Sequence, residues 1–149
     1  MSNIYLYLLL AIAAGAMMPT QAAINNKLSA VVESPILAAF ISFFVGTITL
    51  FVYAIASGTP IGNLVSAREA PPIAWIGGIL GAFFVTATVV LVPRLGVAMT
   101  FSTIIAGQML VTLVIDHYGL LGVPVKEISL GRVAGILLIT AGVVLIRRF

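Results

Sequence analysis

The chain has 149 residues, of which 62% are hydrophobic and 7% charged, with a formal net charge of +3. A soluble domain carries roughly 25% charged residues, so this composition cannot cover a water-facing surface and marks an integral membrane protein. Cysteine is absent, and one histidine and four acids leave no disulfide framework, no thiolate chemistry and no expected metal or cofactor site; the few scattered cations make no nucleic-acid surface.

A membrane-crossing helix needs about 20 apolar residues, and five segments qualify. The first runs from about Ile4 to Ile24. It has the look of a signal-peptide core, but no Lys or Arg precedes it and the pattern continues past Pro19, so it reads as a retained first helix. Tyr5 and Tyr7 suit the headgroup level. Pro19 removes a backbone hydrogen bond and frees the carbonyl of Gly15, which predicts a kink between them. Beyond it, Met18, Gln21 and Asn25 share a face that can bind a solute. Asn25 and Asn26 equally suit a helix end that hydrates itself.

A short link through Glu33 and Ser34 leads to Pro35, a first-turn proline, and to a second helix ending near Ala56. Its Ala38, Ser42 and Gly46 are four apart and admit a close neighbour. Ser57 to Ala70 reads as a surface loop. Pro71 and Pro72 open the third helix, about 72–92. Trp75 lies one turn inside, where interfacial tryptophans sit, and Gly77 and Gly81 form a close-packing face. Pro93 to Gly96 reads as a tight turn.

The fourth helix covers about Val97 to Asp116. Gln108, Thr112 and Asp116 are four apart and form one polar face. A carboxylate or amide in hydrocarbon is costly without a partner or water, so this helix faces protein or a wet cavity. Two roles stay open for each polar group. Gln108 binds a solute or glues helices together; Asp116 is functional or ends the helix at the headgroups. Tyr118 to Glu127 form a loop, Ser129 can cap the fifth helix, and that helix runs from Leu130 to Ile146. Gly131 and Gly135 repeat the four-residue spacing. An acid near a helix C-terminus opposes the helix dipole and calls for a cation. Arg132 is the nearest candidate for Asp116, with His117 an alternative. All of this makes one membrane domain over 1–149, without an internal repeat.

Orientation follows the Lys and Arg count in short loops. With five crossings, the N-terminal side holds Arg68, Lys126 and Arg132, and the other side holds Lys27, Arg94, Arg147 and Arg148. Three against four is almost no bias, which predicts insertion both ways.

The ordered set of Met18-Pro19, Gln21, Asn25, Ser42-Phe43, Gly46, Trp75, Gly77-Gly78, Gly81, Gly96, Gly107-Gln108, Asp116-His117-Tyr118-Gly119, Arg132 and Gly135 resembles the YdcZ-like five-helix family of the drug/metabolite transporter superfamily. The resemblance implies an all-α integral membrane protein of the bacterial cytoplasmic (inner) membrane. It implies half of a ten-helix transporter fold, completed by an antiparallel homodimer or by a heterodimer with a related chain. Its related four-helix multidrug exporters carry a glutamate in the first helix; Ile4 to Ile24 contains no acid, so their proton exchange does not carry over.

The leading expectation is a secondary transporter, an exporter of a small polar solute or drug. Gln21, Asn25, Gln108 and Thr112 would line its midplane site, with membrane lipid around it. Amides and hydroxyls without a central charge favour a neutral or zwitterionic solute. A dimeric channel and an accessory subunit are the alternatives. An intramembrane enzyme is disfavoured, because Asp116 and His117 point about 100° apart on a helix and no serine nucleophile stands out near them; nothing resembles a nucleotide-binding loop, so the chain itself is not expected to hydrolyse ATP.

Overall fold

The computed structural model describes Ser2 to Arg148. Among these residues five helices are long and apolar enough to cross a membrane. They are α1 (Ser2–Val32), α2 (Pro35–Ala56), α3 (Pro72–Leu95), α4 (Val97–Tyr118) and α5 (Leu130–Arg148). The chain separates into two compact units, Met1–Pro93 and Arg94–Phe149.

In the first unit, α1 is longer than its apolar run. It has 31 residues, or about 46 Å at 1.5 Å per residue, against a hydrocarbon core of about 30 Å. Asn25, Asn26 and Lys27 do not end it, because polarity does not break a helix. Asn26 Nδ2 instead donates to Ala22 O at 3.1 Å within the helix. The helix also runs unbroken through Pro19. It stops at Glu33, whose φ is +52°, and at Ser34, which precedes Pro35 and takes an extended conformation (φ −153°, ψ 118°) as the proline ring requires. Ser34 Oγ then accepts from Leu37 N at 3.2 Å, capping α2 with Pro35 in its first turn.

α1 packs on α2 where side chains are small. Ala22, Ala38 and Ala39 are buried; in lipid such close approach is stabilised by van der Waals packing, since tails and side chains are equally apolar. On α3, a Cβ added to Gly81 would lie 3.3 Å from Phe43 Cζ of α2, so glycine permits this approach. The 57–70 loop is not irregular. Ile61–Glu69 forms a 3-10 helix whose Ile61, Leu64 and Ala67, three apart, fall on one face. With Leu50, Phe51 and Ala54 of α2 they line an apolar groove of about 580 Å³.

α3 continues past Pro93 to Leu95, so the expected four-residue turn shrinks to Gly96, whose φ is +77°. Pro93 lacks the N–H that would bond the carbonyl of Val89, and α3 runs only two residues beyond it. In the second unit α4 packs on α5. Gly119 ends α4 in the left-handed conformation at φ +59°, the usual glycine cap. Its site is also crowded: an added Cβ would fall 2.7 Å from Val125 Cγ2 and 3.4 Å from Val123 O.

Gly119→Ala should therefore destabilise the protein by about 2 kcal/mol or more, combining the left-handed penalty with the clash. Gly62→Ala, which meets nothing within 4 Å, should stay within about 0.5 kcal/mol of wild type. Thermal unfolding in detergent compares the two, and equal effects would remove the argument for Gly119.

Candidate functional site

Most hydroxyls in these helices satisfy themselves. Thr20, Thr47, Thr49, Thr86, Thr100 and Thr140 each donate to the carbonyl four residues back, at 2.7–2.9 Å. Such groups ask for nothing further. The carboxamides of Gln21, Asn25 and Gln108 are different, and so is the charged pair at the end of α4.

Gln21 and Asn25 come together, as their four-residue spacing on α1 requires. They line an open groove of about 570 Å³ with Thr20, Met17, Ile24 and, from α2, Ser42. Gln21 also borders a smaller neighbouring cavity of about 220 Å³ with Ser42, Phe43, Gly46 and Thr47. Gln21 is exposed and Ser42 half-buried. Asn25 is only 4% exposed, and its Nδ2 is buried without a hydrogen-bond partner. Sequence reasoning placed Ser42 as a small packing residue; its three-residue offset from the buried Ala39 also aims it at this groove.

Gln108 is exposed, midway along α4, and makes no side-chain hydrogen bond among the described residues. Thr112, one turn on, lines a separate cavity of about 200 Å³ between α4 and α5, with Met109, Arg132 and Gly135. Trp75 is 62% exposed in the first turns of α3, a position suited to an interfacial anchor. Nothing lies within 4 Å of a Cβ built on Gly77, Gly131 or Gly135, so their faces are open within the described chain.

Asp116 and Arg132 form an ion pair between α4 and α5, Arg132 Nη2 donating to Asp116 Oδ2. The pair is 31% and 22% exposed at Arg132 and Asp116 respectively, between the surface and buried regimes. It belongs to a larger clasp. Arg132 Nη1 donates to Lys126 O at 2.7 Å, Lys126 N donates to Asp116 O at 2.8 Å, and Arg132 N donates to Ser129 Oγ at 3.3 Å. His117 Nδ1 accepts from Ile128 N at 3.3 Å. Its ring meets Tyr118 edge-on at 4.7 Å. Asp116 and His117 thus serve different parts of one loop. Their sequence order gave the ion pair away, through the dipole argument; the carbonyl contacts of Arg132 had no signal in the sequence.

A double-mutant cycle tests the clasp. Asp116→Asn and Arg132→Gln should each destabilise, and together cost less than their sum, with a coupling of about 1–2 kcal/mol for a half-exposed pair. Additive costs in thermal unfolding would mean that the pair contributes nothing of its own.

A family model described as "Putative inner membrane exporter, YdcZ" matches residues 6–145. No curated protein and no solved structure matches the chain. The five apolar helices beneath that match make this a multi-pass protein of the inner membrane, and the chain belongs to the YdcZ family.

Proposed function

We propose that the protein exports a small solute across the inner membrane as an antiparallel pair of copies. The pair would bring two sets of five helices into one ten-helix assembly. Gln21, Asn25, Gln108 and Thr112 would bind the solute near the midplane, as in transporters built from inverted repeats. Gln108 carries this reading. An exposed amide midway along an apolar helix is unfavourable against lipid tails, and polar groups at that depth face protein or a wet cavity. The family description favours export.

The cation count supports antiparallel pairing: Arg68, Lys126 and Arg132 on one side against Lys27, Arg94, Arg147 and Arg148 on the other. Asp116 and His117 are engaged with Arg132 and the Ile128 N–H, which speaks for a structural role and against an intramembrane enzyme.

Two experiments test the reading. A reporter fused to the C-terminus should appear on both sides of the membrane in the same cells. Two lysines added to the 57–70 loop should drive one orientation and reduce activity when that variant is expressed alone. A wild-type reporter on one side only rejects the antiparallel pair. A thermal-shift screen against metabolites and drugs supplies ligands, since a ligand of the folded state raises apparent stability. For those ligands, Gln108→Ala should keep a folded dimer yet weaken binding, and Gln108→Leu should abolish it. Normal transport by both variants would reduce Gln108 to helix glue.

A further inference from the structure

The groove between α1 and α2 contains a donor with nothing to donate to. Asn25 is 4% exposed, and its Nδ2 is buried and unpaired. The neighbouring Asn26 shows what an idle helical asparagine does: it bonds the carbonyl four residues back. Asn25 lines the groove instead. An unmet buried donor is a standing cost to the fold, and it persists where something else gains from it.

The remaining lining defines the complement. Gln21 and Ser42 add polar groups, while Met17 and Ile24 supply apolar surface. Thr20 has spent its proton on Ala16 O, so its oxygen can only accept. No Asp, Glu, Lys or Arg lines the groove. A cation or anion lodged there would give up water with no opposite charge to replace it, which is costly in a medium of low dielectric. The cavity of about 570 Å³ falls within the range of small-molecule sites.

We infer that this groove binds an uncharged amphiphilic solute, with a carbonyl or comparable acceptor beside Gln21 that draws the buried Asn25 Nδ2 out toward the groove, and an apolar body along Met17 and Ile24. The assignment deepens the transport reading and rests on it for the solute's passage, but binding is measurable without transport.

The test uses the full-length protein in nanodiscs of ether-linked phosphatidylcholine, which contain no ester carbonyl to compete. Three neutral amides (benzanilide, N-benzylbenzamide and chloramphenicol) are compared with tetraphenylphosphonium as cation and 2-naphthalenesulfonate as anion. At least one amide should bind saturably, and neither ion should. Asn25→Leu, of similar size, should weaken amide binding about tenfold and raise the thermal midpoint of the ligand-free protein, because the unmet donor is gone. A structural asparagine would lower that midpoint. Asn25→Asp supplies a counter-charge and should exchange amide binding for tetraphenylphosphonium binding. The inference is overturned if no amide binds wild type, if either ion binds in preference, or if Asn25→Leu binds amides as wild type does. Wild-type selectivity decides the matter alone should Asn25→Leu not fold. Amides that bind through Asn25 but are not moved in proteoliposomes would uphold the site and reject the exporter; transport of an ion only would do the reverse.

Discussion

An acid in the last turn of a helix sits at the negative end of the helix dipole, and in α4 that acid is Asp116. Arg132, in the first turn of α5, resolves the conflict. Because its guanidinium has several donors in a fixed plane, it also holds Lys126 O and so fixes the loop as well as the helix. Gly119 must then turn left-handed at φ +59°, His117 takes the Ile128 N–H, and Ser129 caps α5. The register of α5 on α4 therefore descends from one electrostatic requirement at the end of a span. That register also sets which residues share the cavity holding Thr112.

The first unit is held differently. No ion pair among the described residues joins α1 to α2. Close approach at Ala22, Ala38 and Ala39 does the work, and it has a side effect. Small residues bring backbones together and exclude solvent, so the polar residue one turn on, Asn25, becomes buried without gaining a partner. Packing and polarity are thus in tension at one point of α1, next to an open groove. A helix pair selected for stability alone would place an apolar residue there.

Local features were legible in the sequence. Five spans, the Ser129 cap, the Pro35 first turn and the Asp116–Arg132 pair each follow from neighbours in the chain or from a dipole. The end of α1 was not, because Asn25 to Lys27 signals the edge of hydrocarbon while the backbone stops only at Glu33 and Pro35. The Ile61–Glu69 helix was missed because its three-residue apolar spacing is read as irregular by a search for 3.6- or 2-residue periods. For the candidate site, the pairing of Gln21 with Asn25 was visible as a shared face. The contrast between Asn25 and Asn26 was not, since it depends on what α2 buries.

For a soluble protein, the long exposed apolar faces here would be the evidence of a missing partner. In a bilayer they are not, because lipid covers them at no cost; α5 has no buried residue in its span and needs none. The diagnostic reverses: exposed polar groups at depth are what call for cover. By that measure the threonines that bond their own helices drop out, and the surface in need of a neighbour includes Gln108 with Thr112 on α4 and Gln21 beside Asn25 on α1. On the proposed antiparallel pair these groups would face protein and solute instead of lipid. The same polar residues would then serve to bind cargo and to make the lone chain incomplete, so that assembly and binding answer one physical demand.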